Sequence, residues 1–248
     1  MPDTDSMKTV VITGASRGIG HQTVIRFVRE GWRVVSCSRD DIPIERQVDD
    51  SPHLHLPTDL ADQASIDAFV TEANAFIGDG PVHALVNNAG VSPKTSFKER
   101  LGTLNGSLDH WREVFELNFF APLVLARGFA APLHRGEGAI VNLTSIVGHR
   151  VHPFAGSAYA CSKAALSALT REMASEFAHL GVRVNAIAPG EIETAMLSPE
   201  YDDLIPRIPM GRMGTPEEVA STIFYLCGPD STYVSGTEIM ITGGQHLL

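Results

Sequence analysis

Short runs of apolar, often β-branched residues alternate along this chain with longer segments in which apolar residues have helical spacing. The runs occupy residues 9–13, 33–38, 53–56, 83–88, 138–145, 183–189 and 238–242. They predict β-strands, and their alternation with helical segments is typical of βαβ units whose parallel sheet is covered on both faces. We therefore expect an α/β fold, a doubly wound parallel sheet in three α/β/α layers.

The last long helix has clear boundary signals. In "TPEEVASTIFYLC", Thr215 can cap the helix, Pro216 takes the first helical position and Glu218 completes a capping box. No repeat, low-complexity tract or linker interrupts the chain. Residues 1–248 are therefore expected to form a single domain.

Charge and cysteine content narrow the classes of partner. A formal net charge of −10 without a run of basic residues argues against nucleic acid and anionic membrane as partners. No apolar run approaches the roughly 20 residues that span a bilayer. Three widely spaced cysteines and an acidic N-terminus indicate a reduced, cytoplasmic protein. We expect small-molecule partners or copies of the same chain.

A glycine-rich turn, "TGASRGIG" at 13–20, follows the first predicted strand and leads into a helix. Gly14, Gly18 and Gly20 permit a tight turn and close backbone approach, and the helix N-terminus then faces a pyrophosphate with free N–H groups. Such turns also arise for steric reasons alone, but the strand-turn-helix context favours dinucleotide binding. The expected fold is therefore of the Rossmann type.

The end of the second predicted strand indicates which dinucleotide binds. In this fold an acid at that position selects NAD, whereas an arginine accommodates the 2′-phosphate of NADP. Here Ser38 and Arg39 stand at the strand end, and Arg17 could add a second positive charge. We predict NADP. NAD stays possible because Asp40 and Asp41 follow at once, and a small register error would restore an acid.

Tyr159 and Lys163 lie in the small-residue stretch "SAYACSKAAL". Positions i and i+4 share a helix face, so the phenol and the ammonium can converge on a common neighbour. They are candidates for a proton donor and the charge that tunes it. An amphipathic helix with a half-buried tyrosine and a snorkelling lysine would have the same spacing.

Together these residues resemble the short-chain dehydrogenases/reductases. The resemblance covers nearly the whole chain, from "TGASRGIG" through "NNAG" at 87–90, "ELNFF", "NLTS" and the tyrosine-lysine pair to "PG" at 189–190 and the terminal "TGG". It implies a nicotinamide-dependent oxidoreductase that acts on a carbonyl or secondary alcohol. It also suggests a homotetramer.

The resemblance assigns roles to individual residues. Tyr159 would be the general acid or base, Lys163 would lower the pKa of Tyr159 and hold the nicotinamide ribose, Ser145 would bind the substrate oxygen, and Asn118 would position a water. The implied cofactor contacts extend along the chain. They are Gly14, Ser16, Arg17, Gly18, Ile19, Gly20, Ser38, Arg39, Asp59, Leu60, Asn88, Ala89, Gly90, Tyr159, Lys163, Pro189, Gly190, Ile192 and Thr194.

Two features depart from that family pattern. Only fourteen residues separate Arg39 from Leu54, so the helix of that crossover is expected to be reduced or lost. The long segments 91–111 and 191–214 are expected to frame the substrate mouth, because specificity and lids tend to lie in long loops beside a cofactor.

Other polar residues are less informative. His53 and His55 share one strand face but have no third ligand nearby, so no metal site is predicted. His149 and His152 follow Ser145 and are candidates for function, with plain surface histidines as the alternative. Cys161 is interpreted as a packing residue.

Three functions remain at this point. The first is a carbonyl reductase or alcohol dehydrogenase. The second is a 3-oxoacyl-[acyl-carrier-protein] reductase, which would need a basic docking patch that Arg135 and Arg171 could begin. The third is a non-catalytic NADP(H)-binding sensor, for which we would expect at least one of Asn118, Ser145, Tyr159 and Lys163 to be absent.

Overall fold

The computed structural model describes residues 7–42, 52–94, 100–194 and 199–248. Seven strands form one parallel sheet in the order β3-β2-β1-β4-β5-β6-β7. All seven predicted strands are present. Their bounds are β1 Thr9–Thr13, β2 Arg33–Ser38, β3 His53–Pro57, β4 Ala84–Asn87, β5 Ala139–Leu143, β6 Arg183–Pro189 and β7 Glu238–Ile241.

Helices cover both faces of the sheet, which confirms the three-layer α/β/α prediction. Side chains alternate along each strand, so Val10 and Ile12 pack under one helical layer while Val11 packs under the other. One layer contains α1 (Gly18–Arg29) and α7 (Pro216–Cys227). The other contains α2 (Gln63–Ile77), α3 (Leu108–Phe115), α4 (Ala121–Gly128), α5 (Ala130–Arg135) and α6 (Ser157–Phe177).

Local sequence signals fix several of these elements. The capping box predicted for α7 is present: Thr215 Oγ1 accepts from Glu218 N, and Glu218 Oε2 accepts from Thr215 N.

Among the described residues, no helix is both long and apolar enough to cross a membrane.

A buried amide chain fixes α6 against the sheet. Asn87 Nδ2 donates to Asn142 Oδ1 at 2.8 Å, and Asn142 Nδ2 donates to Thr170 Oγ1 at 2.9 Å. Each of these buried bonds joins one element to the next, so together they favour one register between β4, β5 and α6. It thereby positions the helix that carries Tyr159 and Lys163.

The crossover from β2 to β3 runs mostly through residues 43–51, which lie outside the described part of the chain. The predicted reduction of its helix therefore stays a prediction. The two strands that it connects pair in parallel, from Val34 opposite His53 to Ser38 opposite Pro57.

Beside this crossover, β2 and β3 carry a histidine network. His53 Nε2 and His55 Nδ1 lie 2.7 and 2.8 Å from Ser36 Oγ, and His55 Nε2 donates to the carbonyl of Asp40 at 3.2 Å. The two rings therefore share a strand face, as predicted. Burial and the neighbouring imidazoles of His55 and His21 lower the pKa of His53 to about 4. No group of three or more histidine, cysteine or acidic side chains that could hold a metal occurs among the residues described.

The lowered pKa of His53 predicts a loss of stability in mild acid. Between the ordinary histidine pKa of about 6.5 and about 4, the unfolded chain binds a proton that the folded chain does not. Stability therefore falls as the pH falls through this window. Glutamine cannot titrate, so His53→Gln should lose less stability than wild type between pH 7 and pH 5 in urea titrations. The exposed control His179→Gln should behave like wild type, and equal losses in all three proteins would contradict the interpretation.

Candidate active site

The predicted glycine turn joins β1 to α1. Gly14 and Gly18 have φ of 69° and 56°, a region that side chains rarely tolerate, and a Cβ at Gly20 would lie 2.1 Å from the carbonyl oxygen of Gly14. Arg17 occupies the N-cap position of α1 but forms no side-chain cap, and the first turn has no acidic residue. The N-terminus of α1 is therefore suited to an anion, as a dinucleotide pyrophosphate requires.

Asn88 and Ala89 hold this turn against the end of β4. Their backbone N–H groups both donate to Thr13 Oγ1 at 3.0 Å. Asn88 Nδ2 also donates to the carbonyls of Thr13 and Gly14, at 2.9 and 3.1 Å. The structure therefore gives Asn88 a bracing role that the sequence analysis, which placed it only in the cofactor lining, did not assign.

The residues predicted for the adenosine end have different surroundings. Ser38 ends β2 and donates through Oγ to the Asp40 carbonyl at 2.6 Å, while Arg39 is exposed directly after the strand. Asp59 is also exposed after β3. Leu60 is buried in the hydrophobic core, so packing accounts for at least part of its role.

The segment after β6 faces the glycine turn. Pro189 is the last residue of β6, and the N–H of Gly190 donates to the Ile241 carbonyl at 2.9 Å. Ile192 pairs with Gly214 in an isolated bridge. The methyl carbon of Thr194 lies 3.4 Å from the position that a Cβ on Gly18 would occupy. Thr194 and the glycine turn are thus near enough to line one site.

Asn118 lies in a π-helix, Glu116–Phe120, between α3 and α4. It is fully buried, and its amide accepts from Val91 N at 2.9 Å and donates to Val91 O at 3.0 Å. It also donates to Ser162 Oγ at 3.0 Å. Single π-helical turns are often found at functional sites. The sequence analysis identified Asn118 but not this irregular backbone.

Ser145 and Tyr159 form the second part of the site. Ser145 follows β5 and caps the short 3-10 helix Ile146–Gly148. Tyr159 is half-buried near the start of α6. Burial raises the pKa of Tyr159, a hydrogen bond with Ser145 partly opposes this, and the charge of Glu191 adds to the increase. The phenol therefore holds its proton strongly in this structure.

Lys163 is buried one helical turn further along α6. Its Nζ donates to the Leu143 carbonyl at 2.5 Å and lies 5.8 Å from the centre of the Tyr159 ring. Burial lowers the pKa of Lys163 to about 8. In the chain alone, burial is the largest influence on the pKa of Tyr159 and raises it. The lowering of that pKa by Lys163 together with the positive charge of an oxidised nicotinamide stays a prediction.

Gly90 marks the point where these side chains meet. A Cβ at Gly90 would lie 3.3 Å from Lys163 Nζ and 3.5 Å from Asn118 Oδ1. Residues from β4, the π-helix and α6, distant in sequence, therefore converge there. With Ser145 and Tyr159 alongside, the arrangement can bind a carbonyl oxygen, supply a proton and hold sugar hydroxyls.

One side-chain interpretation from the sequence is wrong, because Cys161, interpreted as a packing residue, is exposed. Of the two interpretations left open for the histidines, the surface one does not hold for His152, which is buried and places its Nε2 2.9 Å from Glu191 Oε1. His149 is exposed. Glu191 was not among the predicted site residues, although its position directly after "PG" was a usable signal.

The two long loops meet beside this histidine. The Tyr201 ring stacks on His152 at 5.9 Å and lies 5.0 Å from the Phe154 ring. Lys94, from the other loop, places its Nζ 5.1 Å from the centre of the Tyr201 ring. Residues 95–99 and 195–198 of these loops lie outside the described residues, so their predicted framing of the substrate mouth is supported only at these contacts.

The fold and the site together define a Rossmann-type oxidoreductase. The family model described as enoyl-(acyl carrier protein) reductase matches residues 14–246. The chain is 51% identical to protein FixR of Bradyrhizobium diazoefficiens over 99% of this chain and 89% of that protein. It therefore belongs to the short-chain dehydrogenase/reductase family, as the sequence motifs predict.

Two further proteins illustrate the range of this similarity. An oxidoreductase of this family from Brucella ovis, in complex with a partially ordered NAD, superposes with a TM-score of 0.82 at 46% identity, covering 96% of this chain and all of that one. Galactitol 2-dehydrogenase (L-tagatose-forming) of Cereibacter sphaeroides is 34% identical over 94% of this chain and 92% of its own length.

The buried ammonium of Lys163 predicts a pH-dependent change in stability. Between about pH 8 and the ordinary lysine pKa of 10.5, the unfolded chain binds a proton that the folded chain has lost, so wild-type stability gains at most about 1.4 kcal/mol per pH unit from this group. Lys163→Met lacks this gain. Its stability relative to wild type, measured by urea unfolding, should therefore fall from pH 8 to pH 10. The exposed control Lys8→Met should show no such trend, and a constant difference for Lys163→Met would contradict a buried charge.

Proposed function

We propose that this protein transfers hydride between a nicotinamide dinucleotide and a carbonyl or secondary-alcohol substrate, with Tyr159 as the general acid or base. The observation that carries the proposal is the convergence of Lys163 and Asn118 at Gly90, beside Tyr159 and Ser145. A sensor without turnover would not need all four groups in one place.

The chain's own residues supply the groups that bind the substrate and transfer its proton, whereas the hydride belongs to the cofactor. The N-terminus of α1 would hold the pyrophosphate of a nicotinamide dinucleotide and Lys163 its ribose hydroxyls, and the bound group would supply or take up the hydride. Ser145 and Tyr159 bind the substrate oxygen. The raised pKa of Tyr159 keeps its proton available for a reduction product. For oxidation the same phenol accepts the proton after it is ionised.

Removal of the phenolic hydroxyl tests the proposal. Tyr159→Phe should reduce the turnover number about 100-fold or more, because it removes the group that transfers the proton while leaving the ring in place. Dinucleotide affinity, measured by fluorescence titration, should change little. Tyr225→Phe, an exposed tyrosine on α7, is the matched control. Undiminished turnover in Tyr159→Phe would refute the acid assignment, and absence of turnover in wild type would favour a sensor.

We propose NADP(H) as the preferred cofactor. Arg39 is exposed directly after β2 and can reach a 2′-phosphate, and Ser38 stands where an NAD-selecting acid would be expected. NAD is the alternative, favoured by the exposed Asp40 and Asp41 and by the NAD bound to the Brucella ovis relative.

The charge at position 39 distinguishes the two cofactors. Arg39→Asp should weaken NADPH binding by about 10-fold or more and leave NADH binding nearly unchanged, because only the 2′-phosphate would meet the new repulsion. Isothermal titration with both cofactors measures this. Arg29→Asp makes the same charge change at the other end of α1 and should affect neither. Equal weakening of both cofactors by Arg39→Asp would exclude a 2′-phosphate contact.

We further propose that residues 1–248 act as one cytoplasmic domain that assembles into a homotetramer. Three free cysteines suit a reducing compartment. Exposed Tyr233, Leu247 and Leu248 near the β7 edge provide apolar surface for subunit contacts. A 3-oxoacyl reductase is the alternative; Arg135 and Arg171 are exposed, but the formal net charge of −10 does not favour an acidic carrier protein as partner.

A further inference from the structure

We propose that Glu191 binds a second hydroxyl of the substrate, next to the carbon that reacts, so that the enzyme selects vicinal diols and other polyhydroxylated compounds. This inference rests on the proposed function. It adds a residue that determines specificity, with His152 as the residue that positions it.

The histidine that contacts Glu191 has a defined proton position. His152 Nδ1 accepts from the backbone N–H groups of Phe154 and Ala155, both at 3.2 Å. Its proton is therefore on Nε2, which donates to Glu191 Oε1 at 2.9 Å. Both residues are buried, with 7% of His152 and 6% of Glu191 exposed. A short, buried contact of this kind fixes the carboxylate in one orientation.

The two oxygens of Glu191 are in different situations. Oε1 accepts from His152 and also from Gln245 Nε2 at 3.2 Å. Within the described ranges of the chain, no hydrogen bond is made to Oε2. Because Oε2 makes none of these bonds and is not fully enclosed by protein atoms, a ligand in the site can donate to it.

The location of this carboxylate assigns the ligand to the reaction. His152 holds Glu191 and accepts a hydrogen bond from Ala155 N. Tyr159 packs against the small cluster that contains Ala155, so the carboxylate is anchored near the residue proposed to contact the reacting oxygen, and its charge raises the pKa of that phenol. A carboxylate accepts hydrogen bonds only. The substrate must therefore present a donor next to its reacting carbon, and a neutral hydroxyl is a donor that does not require a second buried charge to be desolvated.

The neighbouring side chains suit the carbon skeleton of such a compound. The Phe154 and Tyr201 rings lie 5.0 Å apart beside His152. Their apolar faces can contact the C–H groups of a polyol while its hydroxyls reach Glu191. A substrate with a carboxylate beside the reacting carbon would be repelled by Glu191.

Matched pairs of alcohols test the inference. Oxidation by wild type would be followed by nicotinamide absorbance with butan-2-ol and butane-2,3-diol, and with cyclohexanol and its 1,2-diol. Each diol should have a kcat/KM at least about 10-fold above that of its mono-alcohol, since a hydrogen bond to a charged group is worth roughly 10- to 100-fold. Equal values would overturn the inference while leaving the proposed function intact.

Two substitutions test whether Glu191 is responsible for the diol preference. Glu191→Gln keeps the shape of the side chain but removes its charge, so the ratio of kcat/KM for each diol to that for its mono-alcohol, measured at one pH, should fall about 10-fold. The absolute rates of both substrates can change together, because the charge of Glu191 also acts on the pKa of Tyr159. Glu193→Gln, an exposed glutamate in the same segment, should retain the preference. A diol preference that survives in Glu191→Gln would overturn the inference. The second variant, Glu191→Leu, should remove the preference entirely.

A third kind of substrate distinguishes a hydroxyl group from an ammonium group as the partner of Glu191. If the partner of Glu191 were an ammonium group, 2-aminocyclohexanol would be oxidised in preference to the diol, and this result would also overturn the inference. Failure of wild type to oxidise any of these alcohols with either cofactor would instead count against the proposed function itself.

Discussion

The Thr13 hydroxyl holds together the two strand ends on which the site depends. It accepts from the backbone N–H groups of Asn88 and Ala89, each at 3.0 Å. This contact fixes the glycine turn after β1 against the turn after β4. Gly90 directly follows Ala89, so the same contact also places Gly90, which has no side chain, beside Lys163 and Asn118. A parallel sheet brings strand ends to one edge, and Thr13 sets their spacing there.

Two buried groups of opposite charge, Lys163 and Glu191, belong to the surroundings of Tyr159. Lys163 has a lowered pKa because burial opposes its charge, and Glu191 helps to raise the pKa of the phenol. Each charge is held by hydrogen bonds: Lys163 by the Leu143 carbonyl, and Glu191 by His152 and Gln245. Burying these two charges costs stability, and under the proposed function the reaction is the reason to keep them.

The sequence predicted those parts of the structure that depend on local pattern. Strand positions follow from apolar runs, and the α7 boundary follows from Thr215 and Glu218, whose contacts span only three residues. The π-helix at Asn118 could not be predicted, because it depends on packing of its neighbours rather than on a local signal. Cys161 was misplaced, and the burial of His152 was left open, for a related reason: burial depends on distant elements, and Tyr201 and Glu191 contact His152 from another loop.

The proposed role of Glu191 would connect substrate choice to proton transfer. Its negative charge helps the phenol keep its proton. A substrate hydroxyl that donates to Oε2 would disperse part of that charge and weaken its effect on Tyr159. A diol would then bind more tightly and would also make the phenol easier to ionise, whereas a mono-alcohol would do neither. On this proposal, one buried carboxylate both recognises the substrate and adjusts the acid that acts on it.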